Sequence, residues 1–209
     1  MSGNMDTMDV GRPYADLLPG ARGKVAATLA RLAVPVTVRA LARHAGVSPQ
    51  AALDAVNGLA DAGLVRTERA GGLVMAGLNR DHLLAEPLEM LISVRVRLVE
   101  RLTAELQGWP DLAAAWLFGS AARGDGGRGS DIDLFLVADG STDHPHWGEA
   151  VGSLAYQVEA WTGNRTEIVE HSWESFVRLV RTDNVLISAI HTDGVPLTER
   201  SRRRLREVE

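Results

Sequence analysis

The stretch from Ala113 to Val137 constrains this chain more than any other. An apolar run, Ala113-Ala114-Ala115-Trp116-Leu117-Phe118, leads into Gly119-Ser120. Ten residues separate Ser120 from Asp131-Ile132-Asp133, and a second apolar run, Leu134-Phe135-Leu136-Val137, follows. Two carboxylates at i and i+2 of a strand point to the same face of a sheet. Buried together they repel each other, and a cation is what relieves that repulsion. A Gly-Ser turn that opens a helix offers free backbone N–H groups to a phosphate. Strand, phosphate turn, helix and paired acids read together as a site for Mg²⁺ and a nucleoside triphosphate.

The same residues resemble the signature of the DNA polymerase beta superfamily of nucleotidyltransferases: a hydrophobic residue, Gly-Ser, a spacer, then Asp-hydrophobic-Asp. Phe118, Gly119, Ser120, Asp131, Ile132 and Asp133 fill its defined positions. The resemblance implies a small mixed α/β core and transfer of a nucleoside monophosphate from an NTP to a hydroxyl on a protein, RNA or small molecule. It also implies two Mg²⁺ ions, about 3.5–4 Å apart, with Asp131 and Asp133 as ligands. Ser120 would bond the β- or γ-phosphate, with Gly119 letting the backbone come close. Relatives of this size act in toxin–antitoxin pairs or modify antibiotics.

The superfamily usually adds a third acid on a following strand, which binds the second metal and activates the acceptor. In Thr166-Glu167-Ile168-Val169-Glu170 the best match is Glu167, a Glu where Asp is usual, so the carboxylate moves by one methylene. Glu170 is expected on the opposite face. Arg123 is placed near the triphosphate, where a guanidinium would offset leaving-group charge. Arg128 reads as a solvated loop residue, and Asp125 has no assigned role. His144 and His146 lack a third ligand and read as surface residues, while Trp147 and Trp161 read as core.

Upstream, the chain changes character. Residues 21–78 carry seven basic side chains against Asp54, Asp61 and Glu68, although the whole chain has a net charge of −5. A helical pattern covers 22–33, with Val25, Leu29 and Leu32 on one face. Thr37 reads as the N-cap of a short helix ended by Gly46, and Ser48-Pro49 as N-cap and first position of the next, closed by Gly63. Two short strands, 64–67 and 73–75, flank a turn at Arg69-Ala70-Gly71-Gly72. Three helices and a hairpin in this order resemble a winged helix-turn-helix. That resemblance implies DNA as partner, with Gln50 and Asn57 of the second capped helix reading bases and Arg69 on the wing near a phosphate. No arginine lies on that helix to grip guanine, so a docking or dimerisation module is the competing reading.

Residues 79–108 read as one linking helix, with Pro87 near its true start and an apolar stripe from Leu88 to Leu106 that offers a homodimer surface. The fold class expected is therefore α+β: a mobile tail over 1–20, a winged helix over 21–78, the linking helix, and a nucleotidyltransferase unit over 109–209. Within that last unit, a helical segment runs from Trp173 to about Thr192, and the charged stretch from Thr198 reads as an exposed helix. There are no cysteines, so disulfides and thiolate metal sites are excluded. No apolar run reaches the length of a membrane span or a signal peptide, so a cytoplasmic protein without membrane association is expected. The alternative function is a DNA-binding regulator whose nucleotidyltransferase unit senses a nucleotide without turnover.

Overall fold

The computed structural model describes residues 7–182 and 184–208. The chain forms two compact units, one spanning Arg12–Val94 and the other Arg95–Glu209 together with the segment ending at Gly11.

The first unit contains α1 (Tyr14–Leu17), α2 (Gly20–Arg31), β1 (Val36–Thr37), α3 (Val38–Ala45), α4 (Pro49–Asp61), β2 (Val65–Ala70), β3 (Leu73–Leu78) and α5 (Ala85–Ile92). Both expected caps are present. The Thr37 side chain accepts from the Ala40 N–H at 3.1 Å, and Ser48 accepts from Ala51 at 3.2 Å. Each supplies a partner for a donor that the first helical turn cannot satisfy internally. Val25, Leu29, Leu41, Val56 and Leu59 meet in one buried cluster with Ala76 of β3. β2 and β3 pair antiparallel through Gly71-Gly72, both at positive φ as a two-residue hairpin turn demands. Arg69 and Ala70 belong to β2 rather than to the turn. A third strand, β1, pairs with β3 through Val36 and Thr37 and gives the order β1-β3-β2.

The expected linking helix is two helices. α5 ends at Ile92, and α6 (Val94–Leu106) begins one residue later. At Ser93 the hydroxyl donates to the Met90 carbonyl, and the backbone N–H is shared between Glu89 and Met90. Serine competes in this way with the regular helical ladder. The apolar stripe divides accordingly, with Leu88 in the first unit's core and Leu98, Leu102 and Leu106 in the second's. These leucines are buried within the chain itself and do not form the exposed dimer stripe that the sequence offered.

The second unit is built on a four-stranded sheet of order β6-β5-β4-β7, from β4 (Leu112–Phe118), β5 (Ile132–Ala138), β6 (Thr166–Ser172) and β7 (Val195–Pro196). β4 pairs antiparallel with β5 and β7, whereas β5 and β6 are parallel. Side chains of β5 alternate between two buried faces, which is why its sequence reads as a continuous apolar run. Ile132, Leu134 and Leu136 join an aliphatic core with α6 and α8 (Pro145–Thr162). Phe135 and Val137 join an aromatic-rich core with Trp116 and three helices, α9 (Trp173–Arg181), α10 (Val185–Asp193) and α11 (Glu199–Val208). Truncating a residue as buried as Leu102 to alanine would cost about 2–5 kcal/mol.

Three sequence expectations are corrected here. The single segment from Trp173 to Thr192 is two helices, the second capped by the Asn184 side chain accepting from Leu186. The last helix is not simply exposed: Leu205 is buried, and the Ser201 hydroxyl donates to the Ala115 carbonyl while accepting from its N–H. Of the expected mobile tail, residues 1–6 lie outside the described residues, but Val10 and Tyr14 are buried. The Met8 backbone is bonded to Asn164, 156 positions away. A local reading could not find a partner at that separation.

Candidate active site

At one end of the sheet the chain leaves β4 at Phe118, forms α7 (Gly119–Arg123), and returns through a glycine-rich loop to β5. The register sets Phe118 opposite Asp133, and Asp133 beside Glu167 on the parallel strand. Asp133 alternates onto the same face as Phe135, as Glu167 does with Val169, and both faces belong to the aromatic-rich core. Asp131 lies two residues ahead of Asp133, just before β5 begins. Glu170 alternates to the other face, where its carboxylate accepts from the Trp147 indole N–H at 2.6 Å.

Gly119 brings its backbone hard against this row of acids. It sits at φ +68°, and a Cβ there would lie 2.1 Å from the Asp133 Oδ2. Both the φ and the contact require glycine. The following loop folds back on the turn: the Ser120 carbonyl accepts from Gly124 at 2.9 Å and from Asp125 at 3.3 Å. A Cβ at Gly126 would come within 2.8 Å of the Ser120 hydroxyl. Ser120 is half-buried in this wrapping and lines a small cleft together with Asp131.

The electrostatics of the row are unfavourable on their own. Burial pushes the Asp133 carboxyl above its usual range, the negative charges of Glu167 and Asp131 push it further, and Arg123 pulls it back. Arg123 is held by Asp125, its Nε donating to Oδ2 at 3.0 Å, with Asp193 3.8 Å from Nη1. Asp125, to which the sequence assigned no role, is therefore the partner that orients this guanidinium. Arg165 lies 3.4 Å from Glu167, an exposed pair of small energetic weight.

Such a row suits a divalent cation. Among the described residues no three acidic, cysteine or histidine side chains form a ready-made metal cage. That donor set fits Mg²⁺, which keeps several water or phosphate oxygens and needs only one or two carboxylates.

The other sequence-singled residues lie elsewhere. His144 and His146 are exposed and stack on each other, 5.4 Å between centroids. Trp147 is buried against Trp109, and Trp161 is covered by the Arg101 guanidinium at 4.1 Å. Arg128 is exposed. Gln50 and Asn57 lie on α4 and Arg69 on β2 of the first unit, all exposed, with the Gln50 amide donating to Asp54 at 2.8 Å. Sequence reasoning missed Asn164 and Arg95, both bonded to the site's loop; the Gly163-Asn164 turn before β6 was the one available signal.

Comparison with known proteins bears on the second unit. Two solved structures are similar over 53% of this chain and 82% of theirs: a toxin–antitoxin with AMP-PNP, at 23% identity and TM-score 0.37, and a mutant of the toxin–antitoxin MntA-HpeT, at 21% and 0.37. No curated protein matches. Residues 100–203 match the family described as Polymerase beta, Nucleotidyltransferase, and this segment contains the Gly119-Ser120 turn and all three acids. The segment 100–203 thus matches the polymerase beta nucleotidyltransferase family, with the acid row at its β4–β5 end.

Proposed function

We propose that the nucleotidyltransferase unit transfers a nucleoside monophosphate from an NTP to a hydroxyl acceptor on a protein, an RNA or a small molecule. The observation that supports this most is the alignment of Asp133 and Glu167 on adjacent strands, with Asp131 two residues ahead and Gly119 packed against the Asp133 carboxylate. Asp131 and Asp133, with Glu167, would hold Mg²⁺, which when bound neutralises the triphosphate and the charge developing at the transferred phosphorus.

The chain's own residues account for the rest. The Ser120 hydroxyl and the backbone beside Gly119 bind phosphate oxygens, and the Arg123 guanidinium faces the departing pyrophosphate. Glu167 accepts the proton of the acceptor hydroxyl as the new O–P bond forms and the bond between the α-phosphorus and the bridging oxygen breaks. Gln50, Asn57 and Arg69 would serve DNA recognition in the first unit, read as a winged helix. A toxin–antitoxin role belongs to the same reading of the acceptor.

Incubation of the chain with each labelled NTP, Mg²⁺ and candidate protein and RNA acceptors tests the reading. Label should move to an acceptor with the parent chain and not with Asp131→Ala. A chain that binds NTP but never transfers it is instead a nucleotide-sensing regulator, a reading favoured by Glu167, a Glu where Asp is usual. Failure to bind any NTP would exclude both.

A further inference from the structure

The loop between the phosphate turn and the paired acids contains Gly124, Gly126, Gly127 and Gly129. So many glycines make an ordered loop entropically costly, and something outside the signature has to hold it. Two side chains do so. At its beginning, the Arg95 guanidinium donates to the Ala122 carbonyl of α7 and would contact a Cβ on Gly124. At its end, the Asn164 amide donates to the Ser130 carbonyl at 2.8 Å, the peptide that leads directly into Asp131.

Asn164 is 1% exposed and uses both ends of its side chain. Its oxygen accepts from the Met8 N–H at 3.0 Å, and its nitrogen also donates to the Met8 carbonyl at 3.0 Å. Its own backbone N–H is received by the Thr162 hydroxyl, which fixes the turn it sits on. The Met8 segment is thereby laid along the loop. Val10 enters the aliphatic core, and Gly11 is so close that a Cβ would lie 2.5 Å from the Gly124 carbonyl oxygen. Ser130 completes the closure, its hydroxyl accepting from Gly127 at 3.0 Å.

We infer that Asn164, clamping residues 8–11 against the loop, is a positioning residue that sets Asp131 in register with Asp133 for metal-dependent nucleotide binding. The inference rests on the proposed function. It assigns a task to a side chain outside the Gly-Ser and Asp-x-Asp elements and to a segment more than a hundred residues upstream of them. A buried amide with three side-chain bonds is suited to this because it matches a fixed backbone donor and two fixed acceptors at once.

The test measures the affinity of each of the four NTPs by calorimetry, with and without Mg²⁺, for the parent, Asn164→Ala and Gly11→Ala. The deciding quantity is the gain in affinity that Mg²⁺ confers. Both variants should lose about tenfold of that gain, the usual effect of removing a group that orients a metal ligand, while Mg²⁺-free affinity stays near the parent's. A purely structural role lowers the melting temperature and leaves the gain unchanged, and that result overturns the inference. Gly11→Ala keeps the Asn164 amide intact and decides the matter if Asn164→Ala does not fold. A parent chain that binds no NTP with Mg²⁺ overturns the functional reading and the inference with it. Parent binding lost with Asp131→Ala but untouched by either loop variant overturns the inference alone.

Discussion

On α4 of the first unit the Gln50 amide donates to Asp54, four residues on, so this exposed pair partners itself. At the β4–β5 end of the second unit, burial and then the charges of Glu167 and Asp131 raise the cost of ionising Asp133, and Arg123 offsets only part of it. The first pair is satisfied within its own helix; the acids of the second unit are held by the surrounding fold in an arrangement that a cation would relieve. Preorganised sites have this character, because donors and charges placed for a bound state are poorly matched without it. The contrast also separates the two kinds of reading. The reading of the second unit has the raised Asp133 carboxyl in its support, whereas a DNA-binding role for the first rests on arrangement alone.

The largest effect should come from breaking the acid row. Several kcal/mol of charge stabilisation corresponds to on the order of a thousandfold in rate. Asp131→Ala should therefore reduce nucleotidyl transfer by about that factor, measured as label incorporation, with thermal stability near the parent's. Glu167→Gln tests the proton acceptor and should cost about a hundredfold or more in kcat. Glu170→Gln, on the opposite face and bonded to Trp147, should leave kcat unchanged; equal losses from the two would remove the basis for assigning Glu167.

Gly119→Ala sharpens the same comparison by geometry rather than charge. A Cβ at 2.1 Å from the Asp133 carboxylate must displace it. A misplacement on the order of 1 Å can cost about a hundredfold in rate, so kcat should fall by that much while Asp133 remains present.

The electrostatic cost itself is measurable. With the folded-state pKa of Asp133 raised, the stability associated with its neutral form is present below the unfolded carboxyl's titration and lost as pH rises through the raised folded value. Asp133→Asn keeps a neutral side chain throughout. It should melt higher than the parent near neutral pH by roughly 2–4 °C, with the advantage fading as the solution is acidified. A variant that melts at or below the parent at neutral pH would show that the row is not under electrostatic strain. The smallest effect is expected in the first unit, where Arg69→Ala should reduce the salt slope of DNA binding by about one if that arginine meets a phosphate.

Much of this was legible in the sequence because it depends on short-range rules. Two apolar runs bracketing Gly119-Ser120 and Asp131-x-Asp133 marked where β4 and β5 lie and where α7 opens. The caps at Thr37 and Ser48 followed from side chains three residues before a free N–H. The opposite orientations of Glu167 and Glu170 followed from strand alternation once β6 was placed.

What escaped depends on partners distant in sequence or on competition within a helix. β1 is two residues long and exists only through its pairing with β3. The break at Ser93 arises from a hydroxyl that competes for the Met90 carbonyl, while the apolar periodicity continues across it. Ser201 reads as a polar residue in a charged helix until Ala115 of β4 is seen to use it on both sides. Asn164 followed the same pattern: its meaning lies in Met8 and Ser130, 156 and 34 positions away.

The clamp on Met8 also bears on the order in which the chain can fold. Residues 8–11 are made before the first unit, but Asn164 follows α8, after all of Arg12–Val94 has been made. The first unit has a core of its own, and domains generally fold as units. The Met8–Asn164 contact has a sequence separation that only late events can satisfy. The loop before Asp131 therefore gains its clamp only once Asn164 has been made.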